Sequence, residues 1–172
     1  MTTSGMLVDM YDGLRGSNVA YIPRNASDEQ VLSIARHWLE VLAAGNYEAV
    51  FETLGHALSY QYDCSGPESI RRAIKAYRSP SLYPGVEEFK VTDWRSAKGG
   101  NPSPITQITR YTPNSTGLKG ALSIHLPLNG CWSDLEANFV WFESKDPNGN
   151  YPLSLEDIVS PAQLQRENEG AP

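Results

Sequence analysis

Five side chains stand where acid–base chemistry would want them: Asp63, Asp134, Glu136 and Asp157 among the carboxylates, and His125 as the imidazole. A carboxylate held in an apolar pocket has its pKa raised and becomes a useful base. Asp63 closes the alternating stretch HALSYQYDC, on the face opposite Leu58, Tyr60 and Tyr62. Its plainer reading is a turn or cap acid just ahead of a helix beginning at Pro67. Asp134 and Glu136 lie two residues apart on one strand face, which is the spacing of a paired-carboxylate site and equally of an outer, solvated face. His125 shares its face with Ala121 and Ser123, and a small-residue face can line a pocket or meet solvent. His37 adjoins an apolar helical stripe and His56 falls in a turn; both read as structural or exposed. No GxSxG, P-loop, GxGxxG or HExxH pattern occurs. With no CxxC and no Cys/His cluster of ligand spacing, neither a metal nor a cofactor is expected.

These residues depend on the elements that carry them. In residues 27–54, Val31, Ile34, Ala35, Trp38, Leu39 and Leu42 make one apolar stripe of a 3.6-residue helix. Asp28, Glu29, Arg36 and Glu40 can face water between them. Ser27 followed by Gln30 is a capping-box pattern, and Gly45 then stops the helix. Asn46 caps a second, short helix burying Tyr47, Val50, Phe51 and Leu54. A strand through Leu58, Tyr60 and Tyr62 follows. A third helix opens with Ser65 as cap and Pro67 in its first turn, with Ile70, Ala73, Ile74 and Tyr77 inward.

From Val86 the period changes from 3.6 to 2. Strands are predicted over residues 86–94, 105–112, 119–128, 131–143 and 151–160, with Asn129-Gly130 as the strongest hairpin signal. The last of these places Leu153, Leu155 and Asp157 against Ser154, Glu156 and Ile158. Helix, helix, strand, helix and then an antiparallel meander make an α+β fold, with three N-terminal helices packed on one face of a curved sheet. Residues 1–26 read as an extended tail, 27–160 as a single domain, and 161–172 as a frayed polar tail beyond the break at Pro161.

Bulk properties bound the partners. The length of 172 residues suits one domain with a proper core. A net charge of -6 argues against a nucleic-acid backbone, which needs a basic face. Arg71, Arg72, Lys75 and Arg78 form the one basic cluster, read as the solvated side of a helix. Cys64 and Cys131 are too few for a disulfide framework and suit a reducing, cytoplasmic setting with two buried thiols. The apolar run at residues 139–142 is far short of a membrane span.

The first helix and its Ala44-Gly45-Asn46-Tyr47 turn, followed by this strand order, resemble the nuclear-transport-factor-2-like superfamily, which includes SnoaL-like and ketosteroid-isomerase-like proteins. The resemblance spans residues 27–160, with the helix–turn–helix as its specific motif. It implies a cone whose helices and bent sheet enclose a pocket. Enzymes of that superfamily abstract protons with a carboxylate or His–Asp pair inside the cone, which would use Asp63 or His125 here. The chain has no clear counterpart to the isomerase pattern of tyrosine plus acid. Tyr60, Tyr62, Trp94 and Trp141 would line the cone mouth and contact a ligand, although aromatic strand residues also serve as plain core. The stretches WSDLEANF and YPLSLEDI are similar to the ends of small bacterial domains, some of them toxin-immunity proteins.

The expected function is a non-catalytic module that binds a small apolar ligand or a protein partner, immunity-type binding being one form of the latter, since acidic surfaces often face basic enzymes. A pocket enzyme of isomerase, dehydratase or cyclase type is the alternative. A homodimer through the open sheet is compatible with either.

Overall fold

Ser27 starts the first helix in the way its side chain implies. A computed structural model of the chain describes residues 19–54, 56–57, 66–143 and 147–170, with residues 56–57 described by backbone alone. The strand predicted through Leu58, Tyr60 and Tyr62, the cap at Ser65 and most of the N-terminal tail lie outside the described residues.

Helix α1 spans Asp28–Ala43. The Ser27 hydroxyl accepts from the Gln30 N–H at 3.2 Å, and the Ser27 N–H donates to the Gln30 side chain at 2.8 Å. Two donors at the helix start are thereby satisfied reciprocally. Val31, Ala35, Trp38, Leu39 and Leu42 are buried, while Ile34 stays half-buried at the margin. Burying that stripe contributes on the order of 10 kcal/mol gross, before chain entropy is subtracted. Gly45, at φ +80°, turns the chain out of the helix, a conformation that a side chain with a Cβ resists. Asn46 then caps α2 (Tyr47–Glu52) by accepting from the Ala49 N–H at 3.0 Å. Helix α3 (Pro67–Lys75) begins at Gly66, with Pro67 in its first turn and no side-chain cap. It buries Ile70, Ala73 and Ile74, and Tyr77 is buried just beyond its end.

The strands are β1 (Tyr21–Ile22), β2 (His56–Ala57), β3 (Thr106–Arg110), β4 (Leu118–Leu128), β5 (Cys131–Phe142) and β6 (Tyr151–Val159). They run in the order β1-β6-β5-β4-β3. On one edge of β6, β1 pairs antiparallel at Tyr151 and Pro152, and β2 pairs parallel at Ser154 and Leu155. Asn129 and Gly130, with φ of 52° and 83°, make the two-residue turn between β4 and β5 that their types predict. Register shifts near Gly120, after His125 and at Asn138/Phe139 bend the ladder. The architecture is α+β, with helices against a curled, mainly antiparallel sheet. One core joins the α1 stripe to Leu122, Ile124, Ala137, Phe139, Trp141, Leu153 and Leu155. Trp38 meets Phe139 edge to face, with ring centroids 4.9 Å apart.

Three features depart from the periodicity. Residues 86–94 form no ladder; Val91 makes a single bridge to Leu128. Their polar groups go to the β4–β5 turn instead. The Lys90 N–H donates to the Asn129 side chain at 2.9 Å, the Asn129 N–H to the Lys90 carbonyl at 2.9 Å, and the Gly130 N–H to the Thr92 hydroxyl at 2.9 Å. In β6, Leu155 pairs with Phe139 but Asp157 with Asn138, so Glu156 is an extra residue. That bulge brings Ile158 to the core face with Leu153 and Leu155 and sends Asp157 to the other, reversing the predicted alternation. Residues 161–169, read as frayed, form helix α4 (Pro161–Glu169). Ser160 caps it, and Pro161 occupies the first turn, where a missing N–H costs nothing. The helix buries none of its side chains. Gln163 and Arg166 hold it to the end of α3 through the Arg78 N–H and the carbonyls of Ala76 and Arg78, at 2.8–3.0 Å.

Candidate functional site

Cross-strand pairing gathers His125, Glu136 and Asp157 along β4, β5 and β6. Strand pairing sets Ser123 beside Asn138 and His125 beside Glu136 on β4 and β5, and Asn138 beside Asp157 on β6. The Ser123 hydroxyl donates to Asn138 Oδ1 at 2.6 Å, and the Asn138 amide donates to Asp157 at 2.6 Å. This is a closed cross-strand ladder of polar pairs.

His125 is 6% exposed. Its Nδ1 lies 2.8 Å from the Ile105 N–H donor and 3.0 Å from the Asn101 amide nitrogen. Nδ1 therefore accepts, and the ring proton sits on Nε2, 3.3 Å from a Glu136 oxygen. Each ring nitrogen is already engaged in holding the 101–105 loop and β5 against β4. Asp134 is engaged as well, accepting from the Tyr77 hydroxyl. His125, Glu136, Asp134 and Asp157 thus each have a partner within the chain. Asp63, Tyr60, Tyr62 and Cys64 lie outside the described residues, and Cys131 is a half-buried free thiol.

Tyr77 packs edge to face with Tyr83 and Phe89 at centroid distances of 6.1 and 5.0 Å. The Tyr83 hydroxyl is shared between the carbonyls of Leu128 and Cys131 at 3.1 and 3.0 Å. Burial first, and the hydrogen bond to Asp134 second, push the Tyr77 phenol above its ordinary value of 10.0. Burial likewise raises Tyr83, with electrostatic repulsion from the Cys131 and Asp134 side chains adding to it. A phenol whose pKa is raised in the fold contributes stability that is complete below its unfolded pKa and is lost as pH rises through the folded one. In an alkaline titration followed at the phenolate absorbance, Tyr77 and Tyr83 are expected to ionise only when the chain unfolds. All nine titrating together in folded protein near pH 10 would contradict that assignment.

A cavity of about 270 Å³ lies between α1, the 94–106 segment and the sheet. Leu32, Ala35, Arg36 and Leu39 form its helical wall. Trp94, Arg95, Pro104, Ile105 and Thr106 form the second wall, and Ile124, His125 and Trp132 the third. The Trp94 ring carries two guanidinium groups, Arg36 at 4.3 Å and Arg95 at 4.6 Å from its centroid. Glu40 fixes this assembly. It accepts from the Trp94 indole N–H at 3.3 Å and pairs with Arg95 at 2.6 Å. The Trp94 hydrogen bond first, then that from Arg95, holds the Glu40 carboxyl below the usual carboxylate range. Glu40 sits one turn after Arg36, so helical periodicity aligns clamp and cation on one face.

A groove of about 420 Å³ between α4, the end of α3 and the sheet is larger, but brings no cation to its wall. Another of about 230 Å³, at Tyr111, Leu118, Val140 and Ser154, likewise has no cation. Among the described residues, no three metal-ligating side chains cluster, and no helix is long and apolar enough to cross a membrane.

Of the predicted ligand-contacting aromatics, Trp94 lines the 270 Å³ cavity. Trp141 is 2% exposed and belongs to the core, packed over Gly120. Arg36, Arg95 and Trp132 were not legible as site residues. Arg36 falls between stripe positions, where a charged residue reads as solvated, and the Trp94-Arg95 pair sits in a segment with no clean period. Compared with protein-family models, with curated proteins and with solved structures, the chain matches none.

Proposed function

We propose that this chain is a non-catalytic binding module of the cone-like, nuclear-transport-factor-2-like kind, and that its ligand is a small molecule seated beneath Trp94. The curled sheet, the capped α1 and the Gly45-Asn46 turn support the cone reading. The observation that carries the functional reading is the division of labour among polar groups. The cavity at Trp94 gathers aromatic faces and guanidinium groups, the usual means of recognising a small molecule. Among the described residues, the groups suited to proton transfer, His125, Glu136, Asp134 and Asp157, are each held by another residue of the chain. A general base needs a lone pair aimed at substrate, and both nitrogens of His125 are committed elsewhere.

Ligand-observed NMR with a set of ring-sized fragments tests this. Fragments that compete for one site are expected with the native chain, and to bind at least about tenfold more weakly to Trp94→Ala, which removes the cavity wall on which Arg36 and Arg95 stack. An unchanged melting temperature would show that this variant keeps its fold. Fragment binding indifferent to Trp94, or turnover of a bound compound that disappears in His125→Asn, would contradict the proposal.

A further inference from the structure

We infer that the ligand of the Trp94 cavity is a monoanion with a flat apolar body, a one-ring aromatic carboxylate, held through Arg36. The inference rests on the binding reading above and adds the charge and shape of the ligand.

The two guanidinium groups at Trp94 are not equivalent. Arg95 is spent on Glu40 at 2.6 Å, with Asp93 at 3.7 Å. Arg36 has no carboxylate or carbonyl partner among the described residues; it stacks on Trp94. Stacking uses the face of a guanidinium and leaves its in-plane N–H donors available. Those donors form a fork that matches a carboxylate. With Arg95 neutralised by Glu40, one uncompensated cation beside Leu32, Leu39, Ile105, Ile124 and Trp132 favours a single negative charge over a dianion. The site is an exception to the chain's net charge of -6, so attraction to an anion must be local. Volume sets the size. About 270 Å³ falls just under the roughly 300 Å³ where drug-sized pockets begin, which suits one ring rather than a fused system. Trp132 supplies a face against which such a ring lies, while Trp94 holds the Arg36 guanidinium at the cavity wall.

Benzoate and its neutral isostere benzamide separate the parts of this inference by calorimetric titration. Benzoate is expected to bind at least about tenfold more tightly than benzamide, the usual gap between a charge-assisted and a neutral contact. In Arg36→Gln that gap closes, while Arg36→Lys keeps only part of it, because an ammonium cannot offer the fork. Equal affinity for the two compounds in the native chain overturns the assignment of charge and leaves the pocket reading standing. Binding of neither ring, alongside other fragments at Trp94, overturns the ligand class. Absence of any ligand at Trp94 overturns both.

Discussion

Trp38→Ala is expected to lower the free energy of unfolding by about 3–5 kcal/mol, read by chemical denaturation with an unchanged slope. The argument begins in sequence, where Trp38 is the central residue of the stripe from Val31 to Leu42. In the fold it is 1% exposed and meets Phe139 edge to face across the core. Truncation leaves a void bounded by a helix and a sheet whose register is pinned on both sides, so the walls cannot collapse to fill it. Trp38→Phe should cost well under half as much. It keeps a ring against Phe139 and removes the indole N–H, which is buried with no partner among the described residues. A loss near zero for the alanine variant would place Trp38 outside the core and overturn the register of α1.

Gly120→Ala is expected to destabilise by about 1–3 kcal/mol through overpacking. Gly120 pairs with Trp141 across β4 and β5, and the indole lies over its backbone. A methyl group there would stand 2.2 Å from the indole Cζ2, far inside contact distance. Trp141 is 2% exposed and cannot swing away without disturbing its neighbours. The steric cause makes a sharper demand than the magnitude does. In a double-mutant cycle with Trp141→Phe, the cost of Gly120→Ala should fall, because the smaller ring vacates the space. Strict additivity would mean that the cost has another source.

Local patterns made part of this fold legible. Ser27 and Gln30 cap α1, Gly45 ends it and Asn129-Gly130 turns the hairpin, because each effect is decided within a few residues. Non-local competition hid the rest. Residues 86–94 alternate like a strand, yet the Asn129 side chain and Thr92 take up the hydrogen bonds a ladder would have used. Asp157 changes face because of a bulge at Glu156, and a one-residue insertion leaves no trace in a short alternating run. Ser160-Pro161 reads as a break in a strand and as a helix start with equal ease, and the choice fell on the helix once Gln163 reached the end of α3.

The site was less legible than the fold, for a related reason. His125 and Glu136 were visible as chemically able residues, but their partners, Asn101 and Ile105, come from a loop whose path no periodicity predicts. Trp94 is one of four aromatics that the sequence offers as ligand contacts, with Tyr60, Tyr62 and Trp141, while its two cations and its Glu40 clamp become a unit only when α1 and the 94–106 segment meet.

The central claim is that recognition happens beneath Trp94, in a cavity that Trp38 and Trp141 do not line. The chain's four tryptophans report on it independently, since Trp94 and Trp132 line the cavity while Trp38 and Trp141 are core. The most direct measurement is the ¹⁵N–¹H spectrum of the indole groups during the fragment titration, with each signal assigned by substitution to Phe. The account predicts that the Trp94 and Trp132 signals move together with one saturation curve while those of Trp38 and Trp141 stay in place. Movement confined to Trp38 or Trp141, or no movement with any ligand, would contradict it.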